Sequence, residues 1–189
     1  MSRYFALDHR IRLDYVLHGI RRLNPKKVID FGCGQTPIQN LQFDAYLGID
    51  LFDMPSFNKP NYKFMKANYE EPLDLPLNFF DLALWLEGPE HTLKHKQVFD
   101  NIRKALAPDG FLIITCPNEK KWVVHPQYEH KCQFGLADLR SLVEENGFTV
   151  LEIAEVYSRI PPHLIGYHWL YCLATLAKYD PRYVKGGLK

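Results

Sequence analysis

The stretch VIDFGCG, residues 28–34, decides the fold of this chain. Its apolar first half predicts a buried β-strand, and Gly32 and Gly34 predict a tight turn directly after that strand. Asp30 stands at the end of the strand, just before the glycines. Because ligands of an open α/β sheet bind where its strands end, the stretch predicts a ligand-binding turn as well as a strand.

The segments around this stretch alternate between strand-like and helix-like patterns. Further strands are predicted at residues 46–50, 62–65, 80–86, 111–115 and 148–156, and helices at residues 8–23, 95–106 and about 136–146. The strands are mostly apolar throughout rather than alternating, which is typical of strands covered by helices on both faces. The sequence therefore predicts an α/β fold with one doubly wound, Rossmann-like, mostly parallel sheet of about seven strands.

Three local features refine this prediction. Thr36-Pro37 predicts a helix start after the glycine turn, and Pro108-Asp109-Gly110 predicts a turn before the fifth strand. Residues 169–177 are short enough to be a helix or a closing strand, and we favour a strand paired with the sixth. We expect one domain over residues 1–189, with an N-terminal helix over 1–24, a cofactor-binding core over 25–156 and an aromatic segment over 157–189.

Composition and charge exclude several classes of protein. The 189 residues are 47% hydrophobic and 24% charged, which is the balance of a soluble globular protein. A formal net charge of +1 gives no broad positive field, so a nucleic-acid partner is not expected. The longest apolar run, residues 169–177, is far below the ~20 residues that a membrane span needs. We therefore expect a cytoplasmic protein whose cysteines are reduced thiols.

The pattern around the glycine turn indicates a nucleoside-type ligand. Asp50 ends the second predicted strand, 18 residues after Gly32, where its carboxylate can accept hydrogen bonds from two ribose hydroxyls. The dinucleotide fingerprint needs a third glycine, and this chain has Pro37 in that place. A cationic ligand with an amino acid tail suits Asp30 better than a diphosphate does.

Further motifs follow the glycine turn along the chain. They are Tyr46–Asp50, Asn68–Leu73, Phe80–Leu82, Glu87–His91, Leu106–Gly110 and Thr115–Asn118. Together with residues 28–34, this series resembles the motifs of class I S-adenosylmethionine-dependent methyltransferases, over roughly residues 25–155. The resemblance implies S-adenosylmethionine as the cofactor and methyl transfer as the activity.

The resemblance assigns contacts with the methionine end of the cofactor. The turn of Gly32, Cys33 and Gly34 would face the methionine part. Asp30 would contact its amino group. Leu86, at the end of the fourth strand, would lie beside the sulfonium from which the methyl group leaves.

The adenosine end receives a second set of contacts from the same resemblance. Asp50 would hold the ribose, and Leu51 would lie against the adenine. Asn68 stands where the family often has an aspartate that contacts the adenine amine, and its side chain also offers an acceptor. Tyr69 would donate its backbone N–H to the ring. The segment between Gly34 and Asp50 is shorter than usual, so the first crossover helix should be stunted.

A base that takes a proton from the methyl acceptor should come from the loops after the fourth and fifth strands. The histidine candidates there are His91, His125 and His130. A histidine has an unperturbed pKa near ~6.5 and can serve as the base for a hydroxyl or an amine. The alternative for His91 is packing of the loop beside Glu90, and for the other two it is simple exposure on a loop.

Two local likenesses lead to different acceptors. Glu87-x-x-Glu90-His91, with His130 further on, resembles the metal-binding pattern of Hen1-type small-RNA 2′-O-methyltransferases. Two carboxylates and two imidazoles would suit a softer divalent ion better than Mg²⁺. Residues 122–126, followed by a Leu-rich helix, instead resemble methyltransferases of glycan and small-molecule biosynthesis.

The second likeness is the one we favour. It predicts an enzyme that methylates a small-molecule or glycan-related acceptor at oxygen or nitrogen, with no bound metal. The alternatives are a metal-assisted RNA 2′-O-methyltransferase and a non-catalytic partner subunit that binds the cofactor. Residues 157–170, rich in aromatics, would form a wall or lid over the acceptor; their alternatives are core packing and a contact between two copies of the chain, a homodimer.

Overall fold

A computed structural model describes residues 3–54, 57, 59–121, 129–157 and 168–176 of the chain. The helices in this part are α1 (Arg3–Leu23), α2 (His95–Ala105) and α3 (Leu136–Glu145). The strands are β1 (Lys27–Phe31), β2 (Ala45–Asp50), β3 (Tyr62–Lys66), β4 (Phe80–Leu86), β5 (Leu106–Pro117), β6 (Thr149–Tyr157) and β7 (His168–Thr175). Each predicted strand is present, with bounds that differ by a few residues.

The seven strands form one sheet in the order β3-β2-β1-β4-β5-β7-β6. Neighbours from β3 to β5 pair in parallel, whereas β7 is antiparallel to both β5 and β6. The predicted fold class is therefore confirmed, and residues 168–175 form the closing strand. Since the strand order reverses beside β1, the carboxyl end of β1 lies at the switch point where such sheets bind their ligands.

Helices cover both faces of the sheet, as the apolar strands predict. Buried side chains of α2 and α3 form a cluster with one face: Val98, Phe99 and Ile102 of α2, and Leu139 and Val143 of α3. On the opposite face, Val16 and Ile20 of α1 pack with Tyr171 of β7. The sequence stops α3 as predicted, because Gly147 adopts the left-handed conformation, with φ at +86°. No helix in the described residues is both long and apolar enough to cross a bilayer.

The turn predicted at residues 108–110 is wrong as a boundary of the fifth strand. Leu106 is fully buried and pairs with Phe80, so β5 begins there rather than after the glycine. The next regular pair joins Leu82 to Phe111, and the residues between stay in the strand as an irregular bulge. The pairing of buried Leu106 thus extends β5 to the N-terminal side of the polar turn.

The helix start predicted at Thr36-Pro37 is only partly correct. A 3₁₀ turn over Pro37–Asn40 follows, and the side chain of Thr36 makes no capping hydrogen bond. The chain re-enters the sheet at Ala45, which leaves too few residues for a full crossover helix. The expectation of a stunted helix in this connection is confirmed.

The seat of α1 on the sheet depends on one glycine. A Cβ atom at Gly19 would lie 2.5 Å from the Tyr171 hydroxyl oxygen and 3.2 Å from Cδ1 of Ile113. The helix can therefore approach β7 closely only because residue 19 has no side chain. This contact holds α1 in the position from which its other residues reach the sheet edge.

We predict that Gly19→Ala destabilises the protein by about 1–3 kcal/mol through overpacking, although alanine by itself favours a helix by about 1 kcal/mol. Urea unfolding of the variant measures the change. Tyr171→Phe removes the clashing oxygen. Gly19→Ala should therefore lower the free energy of unfolding much less in the Tyr171→Phe protein than in the wild type. A Gly19→Ala variant more stable than the wild type would contradict the described seat of α1.

Candidate active site

The glycine turn after β1 is anchored on the end of β2. The backbone N–H groups of Gly32 and Cys33 both donate to the Ile49 carbonyl, at 2.8 and 3.1 Å. Gly32 and Gly34 have φ angles of +73° and +43°, which favour glycine at both positions. The N–H of Gly34 donates to Asp50 Oδ2 at 3.0 Å. The turn and the acidic end of β2 therefore form one unit, as the sequence predicts for a ligand site.

Asp50 retains capacity for a ligand in this arrangement. Its Oδ1 accepts the N–H of Phe52 at 3.1 Å, and its Oδ2 accepts that of Gly34. A carboxylate offers about four lone-pair sites, so further donors such as ribose hydroxyls can still be accepted. The assignment of Asp50 to the ribose stays a prediction that this geometry permits.

Asp30 differs from its neighbours because its side chain is buried, only 1% exposed. Its Oδ2 accepts the hydroxyl of Tyr46 at 2.8 Å. Burial raises the pKa of Asp30 to about 7; the Tyr46 hydrogen bond opposes the rise and the Asp50 charge adds to it. Burial also raises the pKa of the Cys33 thiol, so that thiol is a neutral part of the turn. A contact of Asp30 with the cofactor amine stays a prediction.

On the adenosine side, the predicted residues are open to solvent. Leu51 is 53% exposed directly after β2. Asn68 is exposed as well, and its Oδ1 accepts the backbone N–H of Glu70 at 2.9 Å, which forms a local turn. The ring of Tyr69 lies over the glycine turn, because a Cβ on Gly32 would be 3.5 Å from its Cε1. The sequence analysis considered only the backbone of Tyr69, whereas its ring covers the place predicted for the cofactor.

A cavity of about 490 Å³ opens beside this turn. It is lined by Gly34 to Pro37, Gln39, Asn40, Met54, Phe57, Lys59 and Tyr62. Of the predicted cofactor residues, Gly34 alone lines it. The cavity therefore lies between the 3₁₀ turn and the loop after β2, to one side of the predicted methyl-transfer end.

Beyond β4 the chain enters the predicted acceptor side. Leu86 ends the strand as predicted, and Glu87 follows with a left-handed backbone, φ +53°. Its Oε1 accepts the Thr115 hydroxyl at 2.7 Å and contacts Arg12 Nη1 at 2.8 Å. Burial raises the pKa of Glu87, and the Arg12 charge opposes that rise. The sequence analysis missed Arg12, which comes from α1 far away in the sequence.

The next residues bring Glu90, His91 and His130 together. One ligand atom from each lies within 4.8 Å of the others. Each ring binds a fixed acceptor through Nδ1: His91 the Glu129 carbonyl at 3.2 Å, and His130 the Glu119 carboxylate at 2.9 Å. The structure thus gathers two of the three predicted histidines at the ends of β4 and β5.

Burial within this group disfavours the charged forms of Glu90 and His91. Glu90 is 1% exposed, and its Oε2 is buried with no hydrogen-bond partner in the described ranges of the chain. Burial, with the Glu87 charge, raises the pKa of Glu90 well above its ordinary value. Burial lowers the pKa of His91. Sequence reasoning missed Glu119, whose Oε2 is also buried and has no hydrogen-bond partner among the described residues. Its place two residues after the end of β5 was the available signal.

The remaining predictions concern His125 and the aromatic segment over residues 157–170. His125, the remaining histidine candidate, lies outside the described residues, as do most residues of the proposed aromatic lid. Trp169 of that segment is described: it is 6% exposed and lies under the Arg12 guanidinium, 5.0 Å from the ring centroid. Trp169 therefore packs in a core cluster with residues of α1, which is one of the alternatives given for this segment.

Comparison with known protein families identifies the chain. Residues 7–153 match a family model described as a methyltransferase domain. The chain belongs to this methyltransferase family. It is an S-adenosylmethionine-dependent methyltransferase, so the predicted enzyme class and cofactor are confirmed. Among curated proteins, none matches the sequence.

Solved methyltransferase structures share the fold. The Burkholderia thailandensis 1,6-didemethyltoxoflavin N1-methyltransferase, solved with S-adenosylhomocysteine, aligns with a TM-score of 0.67 and 20% identity, over 84% of this chain and 75% of that one. The methyltransferase domain of a bacterial Hen1 aligns with a TM-score of 0.64 and 18% identity, over 89% of this chain and 100% of that one. A methyltransferase from Methanosarcina mazei aligns with a TM-score of 0.60 and 12% identity, over 81% of this chain and 93% of that one. Identities this low show the common fold alone.

The burial of Asp30 in this methyltransferase predicts a pH dependence of stability. The carboxyl ionises near 3.8 in the unfolded chain and near 7 in the folded one, so the stability that it contributes below pH 3.8 is lost as the pH rises through 7. Between pH 4 and 8, the free energy of unfolding of the wild type should fall by up to about 4 kcal/mol relative to Asp30→Asn. Urea titrations of both proteins at several pH values measure this difference.

A second variant checks the cause. Tyr46→Phe removes the hydrogen bond that opposes the rise in the pKa of Asp30. In this variant, the pH-dependent fall in the free energy of unfolding should therefore extend to higher pH than in the wild type. Parallel stability curves for the wild type and Asp30→Asn would show that Asp30 does not carry the shifted proton.

Proposed function

We propose that this methyltransferase acts on oxygen or nitrogen of a small-molecule or glycan-related acceptor. The observation that carries the proposal is the position of Glu87, His91 and His130. They follow the ends of β4 and β5, next to the glycine turn on β1. In the proposed arrangement, an acceptor hydroxyl or amine meets the methyl group among these side chains.

The charge of this region supports a small acceptor over a nucleic acid. The side chains of Glu87, Glu90 and Glu119 are 20%, 1% and 3% exposed, and Arg12 is the guanidinium bound among them. The acidic side chains of Glu87 and Glu119 disfavour a phosphate backbone, and the net charge of +1 supplies no compensating field. A neutral or cationic acceptor suits these surroundings.

The chemistry needs orientation more than covalent assistance. A lone pair of the acceptor attacks the methyl carbon in line with the carbon–sulfur bond, which breaks with its electrons going to sulfur. The enzyme must hold the two reactants at contact distance and accept the proton that the acceptor loses. In the proposed arrangement, the turn over residues 32–34 and Asp50 hold the cofactor, and the loops after β4 and β5 hold the acceptor.

Calorimetric titration with S-adenosylhomocysteine tests the cofactor half of the proposal. We expect Asp50→Ala to weaken binding at least about tenfold, because the lost carboxylate holds both the ribose and the turn. Asp53→Ala is the matched control, because its side chain is 81% exposed and pairs with Lys66 on the surface. Equal affinity of wild type and Asp50→Ala would contradict the proposed site.

Methyl transfer from labelled S-adenosylmethionine to a panel of amines, alcohols and sugars then tests the acceptor half. Transfer to an amine or hydroxyl compound supports it. Transfer to RNA alone would favour the nucleic-acid alternative. Cofactor binding with no transfer, together with stable association with another chain, would favour the partner-subunit alternative.

A metal-assisted reaction is the second candidate, favoured by the group of Glu90, His91 and His130. Their ligand atoms lie close together, and Glu90 Oε2 has no hydrogen-bond partner among the residues that the structure describes. Each histidine binds its acceptor through Nδ1. Glu119 would hold His130 in the orientation that carboxylates commonly impose on metal-binding histidines. One carboxylate and two imidazoles suit Zn²⁺ or Mn²⁺, which would polarise an acceptor hydroxyl.

Glu87 does not join this set. Its Oε1 contacts Arg12 and Thr115, and the group of ligand atoms does not include it. The pattern of two glutamates and two histidines that the sequence suggests is thus reduced to one glutamate and two histidines in the described residues.

Metal content decides between the two candidates. If the metal candidate is correct, protein stripped with chelator and dialysed against Zn²⁺ or Mn²⁺ should retain about one ion per chain, and Glu90→Gln or His130→Ala should abolish retention. His168→Gln is the matched control, because His168 also pairs with a glutamate, Glu155, at 2.9 Å. Retention at background level in the wild type would remove the metal candidate.

A further inference from the structure

The backbone of Glu87 is held in an unusual conformation at the end of β4. Its φ of +53° lies in the left-handed region, which few residues other than glycine adopt and which costs about 1 kcal/mol or more. Its N–H donates to the Thr115 carbonyl at 2.8 Å, which continues the pairing of β4 with β5. The chain therefore keeps a glutamate where a glycine would be less strained, and such positions concentrate at functional sites.

The side chain of Glu87 is anchored through one oxygen only. Thr115 and Arg12 both contact Oε1, at 2.7 and 2.8 Å. Arg12 is itself fixed over the ring of Trp169. Among the described residues, none forms a hydrogen bond or an ion pair with Oε2. Two positioning contacts thus orient the carboxylate and leave one oxygen for a ligand.

The register of the sheet brings residue 87 level with the glycine turn. Phe31 pairs with Trp85, so Glu87 comes two residues after Trp85 just as Cys33 comes two residues after Phe31. The histidines stand further along the loop, and each has its Nδ1 engaged. Glu87 is therefore the ionisable side chain of β4's end nearest in register to the glycine turn.

We propose that Glu87 Oε2 is the group that accepts the hydrogen bond, and in the reaction the proton, of the acceptor N–H or O–H. Arg12 and Thr115 are positioning residues that act through Glu87. This inference rests on the proposed function and names the base of that site. The acceptor lone pair forms the bond to the methyl carbon, the carbon–sulfur bond breaks toward sulfur to give S-adenosylhomocysteine, and the acceptor proton passes to Oε2 and then to water.

The test uses a ligand that reaches Glu87 without a known acceptor. Sinefungin is a cofactor analogue in which a carbon bearing an amine replaces the sulfonium and its methyl group. Its ammonium projects to where the methyl group would be, so it should donate to Glu87 Oε2. S-adenosylhomocysteine has no group there. The ratio of the two dissociation constants in one protein therefore reports the contact and is insensitive to general loss of stability.

We expect the wild type to bind sinefungin more tightly than S-adenosylhomocysteine. Glu87→Gln should reduce this preference about tenfold, since a charge-assisted hydrogen bond becomes a neutral one, while S-adenosylhomocysteine affinity changes less than about twofold. Arg12→Met and Thr115→Val should reduce the preference less. Arg22→Met is the matched control, since Arg22 joins α1 to Glu152 of β6 through a surface ion pair at 2.7 Å.

The outcomes separate this inference from the proposed function. An unchanged preference in Glu87→Gln, or an equal loss of both affinities, would overturn the role of Glu87 and leave a structural link between α1 and the sheet. Failure of the folded wild type to bind either ligand would contradict the proposed cofactor site, and the inference would fall with it. If Glu87→Gln loses the preference for sinefungin and keeps its affinity for S-adenosylhomocysteine, the result supports both the role of Glu87 and the proposed cofactor site.

Discussion

One carbonyl oxygen organises the cofactor end of this methyltransferase. The backbone N–H groups of Gly32 and Cys33 converge on the Ile49 carbonyl, which ties the turn after β1 to the last residues of β2. This double contact brings the N–H of Gly34 to Asp50, so the turn and the carboxylate share one position. Because β1 also pairs with β4, the turn and the end of β4 have a fixed spacing. In the proposed site, the acceptor side is therefore positioned relative to the cofactor by the backbone of the sheet.

Buried glutamate side chains distinguish the proposed acceptor side, beyond that turn. Burying a carboxyl group without a full set of partners lowers stability, and in a native protein such a group needs an explanation, for example a catalytic role or a bound ion or water. Within the part of the chain that the structure describes, Glu90 and Glu119 each keep one buried oxygen without a hydrogen-bond partner. Glu87 is partly neutralised by Arg12, which reaches it from α1. The N-terminal helix therefore contributes Arg12 to the proposed site, and the close approach at Gly19 seats that helix on the sheet.

Local patterns in the sequence predict most of the fold and little of the acceptor side. Apolar runs ending in Asp30 or Asp50 predict strands and a ligand edge, because both signals lie within a few residues. The bulge after Leu106 was not predictable, since it depends on pairing with Phe80. The link from Arg12 to Glu87 and the bond from Glu119 to His130 also escape local patterns, because only the folded sheet brings their elements together.

A crystal structure of the complex with S-adenosylhomocysteine tests the central claim most directly. The account predicts the ligand across the turn of Gly32 to Gly34, with both ribose hydroxyls on Asp50 and the sulfur facing the end of β4 at Leu86. A ligand bound instead in the cavity between the 3₁₀ turn and Lys59, with Asp50 free of it, would contradict the account.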